Sequence, residues 1–191
     1  MKIILSKITM NEFRERIYEN YRELFPANER RSLKTISETW HSGHELIYVI
    51  KQEEKDIGFF LLEKIEGYPY YLDYFAIFEK YQNKGYGSIV LKNIIDRICH
   101  EEGLLAEIEE VNEENEQTIR RSKFYQKVGF EVLDTIYELD KHLYNPVVCT
   151  SKKYTKKEID KMFFKYYELN VGKELVGKYC KIIKWEVWEI Y

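Results

Sequence analysis

The chain has 191 residues, of which 45% are hydrophobic, and contains only three prolines, so we expect one globular domain with a sizeable core rather than a disordered chain. Its 30 basic and 33 acidic side chains give a net charge of −3. These charges are spread along the sequence, and no basic stripe or polybasic block indicates a nucleic acid or a membrane surface as a partner. We therefore expect neither partner.

The three cysteines, Cys99, Cys149 and Cys180, are widely spaced and belong to no CxxC or Cys/His cluster. They indicate neither a disulfide framework nor a zinc site, and a reducing cytoplasm is the simplest setting. The apolar run Ile3–Leu5 is too short for the core of a signal peptide, and no stretch is long enough to span a bilayer. The sequence thus predicts a cytoplasmic protein.

Hydrophobic periodicity predicts the elements in chain order. The first half gives a strand at Ile3–Leu5, a helix at Met10–Leu24, a short helix within Asn28–Ser42, and strands at Glu45–Gln52, Ile57–Glu66 and Tyr70–Phe78. The second half gives a helix over Ile89–Ile98, a strand at Leu104–Val111, a helix at Thr118–Val128 and a strand at Phe130–Leu139. This order predicts a mixed α/β fold in which helices cover a mostly antiparallel central sheet.

Beyond Pro146 the composition becomes rich in lysine and tyrosine, with a helical pattern near Thr155–Leu169 and a strand-like pattern at Lys181–Tyr191. We therefore predict a domain over residues 1–146 and an extension over residues 147–191. The extension could be a small lobe, the arm of a homodimer or part of the substrate wall, and the sequence leaves these three roles open.

A glycine-containing turn opens the helix that follows the third strand of the meander. It comprises Gln82, Asn83, Lys84, Gly85, Tyr86, Gly87 and Ser88. The first amides of a helix have no intrahelical partner, and the helix dipole favours negative charge near them. Glycines at 85 and 87 let an anion approach the backbone without interference from a Cβ atom. The turn is a candidate pyrophosphate site, although an isolated GxG pattern also fits an ordinary strand-to-helix turn.

Spacing excludes two other phosphate-binding motifs. A dinucleotide fingerprint needs a third glycine where this chain has Val90, and a P-loop needs Gly-Lys-Ser/Thr, whereas Lys84 precedes its glycine. The turn instead resembles the signature Gln/Arg-x-x-Gly-x-Gly/Ala of the GCN5-related N-acetyltransferase (GNAT) superfamily, matched by Gln82, Gly85 and Gly87. The preceding strand ends in Phe75-Ala76-Ile77, which is typical of that family.

A second segment, Phe124-Tyr125-Gln126-Lys127-Val128-Gly129-Phe130, resembles the late helix of the same family and the strand after it, written Phe-Tyr-x-x-x-Gly-Phe. A packing role for these residues, with Gly129 ending the helix, is compatible with this resemblance. The resemblance covers residues 45–139 well and the amino-terminal elements weakly, and residues after 146 lie outside it. It implies the GNAT fold and transfer of an acetyl group to an amine.

The resemblance also implies how acetyl-CoA, the expected cosubstrate, is bound. Its pyrophosphate would lie on the amides of residues 82–88, and its pantetheine would run along the backbone of Phe75, Ala76 and Ile77 like an added strand. A backbone amide of that strand would stabilise the oxyanion that forms when the amine attacks the thioester. No metal is expected in this reaction.

Aminolysis needs a base for the amine and an acid for the departing thiolate. Tyr125 matches the family's tyrosine that donates a proton to the CoA sulfur, and simple packing is the alternative role for it. Strand alternation places Asp73 on one face of its strand with Phe75 and Ile77. The candidate bases are Asp73 and Glu107. A solvated or ion-paired face is the alternative for both carboxylates, and water could also remove the proton.

The acceptor is predicted to be a primary amine on a small molecule or a peptide. The early helices cover the acceptor side in relatives, so Glu29, Arg30 and Arg31 are candidate specificity residues, with a solvated helix face as the alternative. A non-catalytic module that binds acyl-CoA, or another partner, on the same fold is the competing hypothesis. The sequence leaves the identity of the amine open.

Overall fold

A computed structural model describes residues 2–184 of the chain, with Lys184 described by its backbone alone. The described chain forms two compact units, one ending at Ile98 and the other beginning at Cys99. No helix among the described residues is both long enough and apolar enough to cross a membrane.

The first unit combines helices with a four-stranded sheet. Its elements are β1 (Ile3–Ile8), α1 (Met10–Glu12), a π-helical turn (Phe13–Ile17), α2 (Tyr18–Leu24), α3 (Leu33–His41), β2 (Glu45–Gln52), β3 (Lys55–Glu63), β4 (Tyr70–Ile77), a 3-10 turn (Glu79–Tyr81) and α4 (Tyr86–Arg97). Strands β1 to β4 pair in chain order, and every pair is antiparallel. This is the meander that the sequence predicts, with a fourth strand at its start.

The core of the first unit lies between its early helices and one face of this sheet. Phe13, Ile17 and Tyr21 from the helical segment are fully or almost fully buried against side chains of the sheet such as Phe59 and Tyr74. Their spacing of four residues places them on one side of the helix, and burial of each large apolar side chain contributes about 2 kcal/mol. Helix α4 contacts β1 and β4.

One irregularity in β4 changes which side chains share a face. Leu62 pairs with Leu72 but Leu61 pairs with Tyr74, so Asp73 is an extra residue in β4. This is a β-bulge, a feature that bends the strand and redirects a side chain. The prediction that Asp73 shares a face with Phe75 and Ile77 is wrong, because the bulge interrupts the two-residue alternation at Asp73.

The described part of the second unit, residues 99–184, has five antiparallel strands and three helices. Its elements are β5 (Leu104–Glu109), α5 (Glu116–Lys127), β6 (Glu131–Val132), β7 (Ile136–Leu139), β8 (His142–Cys149), α6 (Lys156–Val171), α7 (Lys173–Tyr179) and β9 (Cys180–Lys184). β8 pairs with β5, β6 and β7, and β7 also pairs with β9. Together with the first unit, these elements confirm the predicted α/β class with mostly antiparallel strands and flanking helices.

Strand β8 is the main element that periodicity misses. Pro146 lies inside it opposite Glu107, where its missing N–H argues against a strand from sequence alone, but its carbonyl accepts from the amide of Leu133. The predicted strand Phe130–Leu139 is divided into β6 and β7. The side-chain amide of Asn145 donates to the carbonyls of Leu133 and Thr135 at this break.

The elements after Pro146 agree with the predicted ones in part. Helix α6 confirms the helical pattern near Thr155–Leu169, whereas α7 was not predicted. Residues 181–184 of the strand predicted at Lys181–Tyr191 belong to β9, and its remainder lies outside the described residues. The division into residues 1–146 and 147–191 stays a prediction; its boundary falls within β8.

Candidate active site

The turn before α4 has the backbone geometry of an anion cradle. Asn83 and Gly85 adopt left-handed conformations, with φ of 59° and 80°, and Gly85 is the N-cap of α4 without a side-chain cap. A Cβ built at Gly85 would meet no atom within 4 Å. Among the described residues, no group accepts from the backbone amides of Tyr86, Gly87 and Ser88. These amides are therefore available to an anion at the positive end of the helix.

The polar side chains of the turn hold its shape. Gln82 donates its side-chain amide to the carbonyl of Ile77 at 2.8 Å, which ties the turn to the end of β4. Lys84 donates to the carbonyl of Lys80 at 2.9 Å. Tyr86 is buried and donates its hydroxyl to the side chain of Gln52 at 2.7 Å. The side chains thus position the backbone, and the backbone offers the donors.

The strand before the turn is held unusually close to its neighbour. Gly58 of β3 pairs with Ile77 of β4. A Cβ at Gly58 would lie 2.2 Å from the carbonyl oxygen of Ala76 and 3.1 Å from the Cα of Ile77. Only glycine permits this approach, because a distance of 2.2 Å is far inside a van der Waals contact. Gly58 therefore fixes the position of Phe75–Ile77, a role that the sequence did not reveal.

Tyr125 lies on α5 with its ring in an aromatic cluster. The residue is 9% exposed, and its ring packs edge-on against Phe124 and Phe130, at centroid distances of 5.3 and 5.1 Å. Gly129, with φ of 103°, lets the chain turn so that Phe130 reaches this ring. The hydroxyl of Tyr125 forms no hydrogen bond with any residue of the described range. Packing by the ring is established, and the hydroxyl remains available for another role.

Burial raises the pKa of Tyr125 to about 12, with the positive charge of Arg121 opposing the rise and the negative charge of Glu107 adding to it. The phenol is therefore fully protonated near neutral pH and is able to donate a proton. Glu107, on β5, accepts a hydrogen bond from the hydroxyl of Tyr167 on α6. The second unit thus brings two of the predicted catalytic residues, Tyr125 and Glu107, within electrostatic reach of each other.

Asp73 belongs to a buried ionic cluster in the first unit. The Arg31 guanidinium lies 2.6 Å from Glu45, 2.8 Å from Glu63 and 2.5 Å from Asp73. The four side chains, which we call the Arg31 cluster, are all at most 11% exposed. Arg31 is therefore not on a solvated helix face, and it lies in a loop before α3 rather than in a helix. Glu45 and Glu63, which face each other across β2 and β3, were not predicted as site residues.

The Arg31 cluster has a surplus of negative charge. Three carboxylates surround one guanidinium, and their oxygens lie within 4.8 Å of one another, as in a metal-binding group. Burial raises the pKa of Glu45 to about 7 against the lowering effect of Arg31, and burial likewise raises the pKa of Asp73. Buried like charges at this spacing take up protons readily. Arg31 supplies the positive charge that a cation would supply at such a group.

A pocket of about 200 Å³ lies beside the loop that carries Arg31. Its lining residues come from α2 and from the loop between α2 and α3, and they are Tyr18, Tyr21, Arg22, Ala27, Arg30, Arg31 and Ser32. The hydroxyl of Tyr74, on β4, accepts from the amide of Arg31 at 2.8 Å and donates to the carbonyl of Glu29 at 2.7 Å. The bulged strand is therefore hydrogen-bonded directly to the pocket's loop.

Residues 43–132 match the family model described as an acetyltransferase (GNAT) domain. The chain contains a GNAT domain. This match includes β4, the turn before α4 and the segment around Tyr125, which are the features that carried the resemblance to the GCN5-related family. The family resemblance is therefore confirmed. Among curated proteins, none matches this chain.

Solved structures share the fold of this GNAT protein. An acetyltransferase from the GNAT family of Bacteroides thetaiotaomicron superposes with a TM-score of 0.77 at 23% identity, over 88% of this chain and 98% of that one. Arabidopsis thaliana NAA60, in complex with acetyl-CoA, superposes with a TM-score of 0.59 at 16% identity, over 77% of this chain and 97% of that one. A spermidine N-acetyltransferase chimera of Vibrio cholerae SpeG and hSSAT superposes with a TM-score of 0.59 at 14% identity, over 78% of this chain and 96% of that one. Identities this low show the fold alone, and it is the match to the acetyltransferase domain model that supports acyltransferase chemistry in general.

Proposed function

We propose that this GNAT protein binds acetyl-CoA and transfers its acetyl group to a primary amine on a small molecule or a peptide. The observation that carries the proposal is the set of backbone amides at Tyr86, Gly87 and Ser88, which have no partner within residues 2–184 and open a helix that follows two left-handed residues. The pyrophosphate would bind there, and pantetheine would run along the backbone of Phe75–Ile77. NAA60, which shares the fold, is described in complex with acetyl-CoA.

The proposed reaction is a direct aminolysis. The neutral amine attacks the thioester carbonyl carbon, a C–N bond forms, and the C–S bond breaks. Tyr125 is the proposed acid, and its protonated phenol passes a proton to the departing CoA thiolate. The ammonium proton of the acceptor passes to a base, and solvent returns a proton to Tyr125. The products are the N-acetyl amide and free CoA.

Asp73 and Glu107 are the proposed bases, and each has a feature that suits it. Burial raises the pKa of Asp73 against the lowering effect of its guanidinium partner Arg31, so Asp73 takes up a proton more readily than an ordinary aspartate. Glu107 already accepts a hydrogen bond from Tyr167, which holds the carboxylate in one orientation. A water molecule between the amine and either carboxylate would serve the same reaction.

Calorimetric titration with acetyl-CoA tests the cradle. We expect micromolar affinity for the wild type and none for Gly87→Leu, because a side chain at this position would occupy the place of the phosphate. Gly177→Leu is a matched control, since Gly177 also lies in a helix and a Cβ there meets nothing within 4 Å. Equal affinity of Gly87→Leu and the wild type would show that the phosphates bind elsewhere.

Release of free thiol over a broad panel of amines tests the transfer itself. Turnover with at least one amine supports the enzyme. Tight acetyl-CoA binding without turnover of any amine would instead identify a non-catalytic acyl-CoA-binding module. Because the similar structures include a spermidine N-acetyltransferase chimera, the panel should contain polyamines as well as amino acids and peptides.

A further inference from the structure

The pocket beside α2 has a positive lining that the proposed acetyl transfer does not yet use. Of its seven lining residues, three are arginines and none is acidic. The charge of Arg31 is committed to the three carboxylates of the Arg31 cluster, and none of those carboxylates lines the pocket. The charge that the pocket offers to a ligand therefore comes from Arg30 and Arg22.

Arg30 is held in place by a backbone carbonyl and not by a carboxylate of the described residues. Its Nη1 donates to the backbone carbonyl of Arg22 at 2.8 Å, which fixes the guanidinium at the end of α2. No carboxylate of the described residues forms an ion pair with Arg30. Guanidinium groups bind carboxylates and phosphates through paired hydrogen bonds, so the remaining N–H donors of Arg30 suit an oxyanion.

Two neighbouring features also favour a negatively charged ligand in this pocket. Arg22 pairs with Glu19 at 3.2 Å, but their side chains are 53% and 74% exposed, and a surface pair of this kind is weak enough to yield to a ligand. Ser32 caps the N-terminus of α3, a nine-residue helix without an acidic residue in its first turn. The positive end of that helix thus faces the same loop.

The other residues that line the pocket are either aromatic or small. Tyr18 and Tyr21 stack with ring centroids 6.0 Å apart, and the Tyr18 hydroxyl has no hydrogen-bond partner among the described residues. A volume of about 200 Å³ accommodates an acid group with a short carbon skeleton rather than a large cofactor.

The connection to β4 relates this pocket to the reaction. The proposed pyrophosphate lies at residues 82–88 and the pantetheine along residues 75–77, so the acetyl group lies toward residues 73 and 74. Tyr74 is hydrogen-bonded to the pocket's loop at Glu29 and Arg31, and its ring lies 4.8 Å from that of Tyr21. The pocket is therefore next to the acetyl end of the donor.

We infer that the acceptor is an amine that also carries an oxyanion, a carboxylate or a phosphate, and that Arg30 binds this group with Arg22 assisting. The inference rests on the proposed acetyl transfer, because it places the acceptor at the acetyl end of β4. Arg30 determines specificity in this scheme and takes no part in bond formation. A polyamine without an acid group is a poor acceptor for such a pocket.

Binding of product analogues tests the inference without relying on turnover. The first pair of probes is N-acetylalanine and its neutral amide, and the second is N-acetylphosphoethanolamine and N-acetylethanolamine. In NMR titrations of the full chain, we expect the charged member of at least one pair to bind ten times tighter than its neutral partner and to shift the amide signals of residues 30–32. The pair that shows the preference distinguishes a carboxylate from a phosphate.

Two variants test whether Arg30 causes the preference for the charged probe. In Arg30→Gln the charged and neutral probes should bind equally, whereas Arg14→Gln removes the same charge from an exposed position outside the pocket and should keep the tenfold preference. Acetyl-CoA affinity should be unchanged in both variants. Equal binding within both pairs in the wild type, or a preference that persists in Arg30→Gln, overturns the inference while acetyl-CoA binding persists. Loss of acetyl-CoA binding by the wild type would instead overturn the proposed function.

Discussion

Arg31 and Asp73 form a buried ion pair in which Nη2 of Arg31 lies 2.5 Å from Oδ2 of Asp73. The pair joins the loop before α3 to the bulge of β4, and Glu45 and Glu63 complete the Arg31 cluster. One guanidinium thus holds three strands and a loop together beside the proposed acetyl end of the donor. Its removal leaves three buried carboxylates without a positive partner, which is a costly arrangement.

We expect Arg31→Met to lower the free energy of unfolding by about 3–5 kcal/mol, the usual cost of removing one member of a buried ionic group. Chemical denaturation at pH 7 measures this change. Arg30→Met is the control, because Arg30 forms only one hydrogen bond and no ion pair among the described residues. A loss below about 1 kcal/mol for Arg31→Met would show that the cluster neutralises itself by proton uptake.

Glu45 should make the stability of the protein depend on pH near neutrality. Its pKa rises from 4.5 to about 7 on folding, so the folded state binds its proton more tightly than the unfolded state. The stabilisation from this proton is complete below pH 4.5 and is lost as the pH rises to about 7. We expect Glu45→Gln, which cannot lose a proton, to gain about 3 kcal/mol relative to the wild type between pH 4.5 and pH 8.

Denaturant midpoints measured at several pH values for both proteins provide this comparison. Glu38→Gln is a suitable control, since the Glu38 side chain is 65% exposed. Parallel curves for the wild type and Glu45→Gln would contradict the expectation, because they would mean that Glu45 has the same pKa in both states.

Tyr125→Phe separates proton donation from packing. The hydroxyl forms no hydrogen bond with the described residues, so its removal should change the free energy of unfolding by less than about 0.5 kcal/mol. If Tyr125 protonates the departing thiolate, kcat should fall by about 10²–10⁴-fold with unchanged acetyl-CoA affinity. Steady-state kinetics with the best amine of the panel and calorimetry measure the two quantities.

Tyr137→Phe is the matched control for Tyr125→Phe. The hydroxyl of Tyr137 donates to buried Asp160 at 2.6 Å, so its loss should cost about 1–3 kcal/mol of stability and should not affect catalysis selectively. A Tyr125→Phe variant with full kcat would leave Tyr125 with a packing role only.

Gly58→Ala should disturb the strand that is proposed to bind pantetheine. The new methyl group would lie 2.2 Å from the carbonyl oxygen of Ala76, so β4 must move, at a cost of about 1–3 kcal/mol. We expect weaker acetyl-CoA binding as well, measured by calorimetry on the folded variant. Gly177→Ala should instead stabilise the protein by about 0.5–1 kcal/mol, because this helical glycine has open space around its Cβ position. Unchanged stability and affinity in Gly58→Ala would contradict the role of Gly58 in positioning β4.

The sequence alone determined the fold class, most element positions and the family, because these depend on local patterns. Strand β2 occupies the predicted Glu45–Gln52, and the motif at residues 82–88 opens α4 as expected. Local periodicity did not predict β8, since Pro146 lacks the N–H that a strand pattern assumes and is accommodated only by its neighbours in the sheet. The locations of Tyr125 and Glu107 relative to each other also required the folded chain.

Only the tertiary structure decided which charged residues meet. Arg31, Glu45, Glu63 and Asp73 are separated by up to 42 positions in sequence and appear in it as ordinary surface charges. Pairing of β2 with β3, and the bulge that turns Asp73 away from its expected face, bring them around one guanidinium. The same loop presents Arg30 to the pocket. Sequence patterns report the local chain, whereas charge balance in a buried cluster depends on contacts between distant segments.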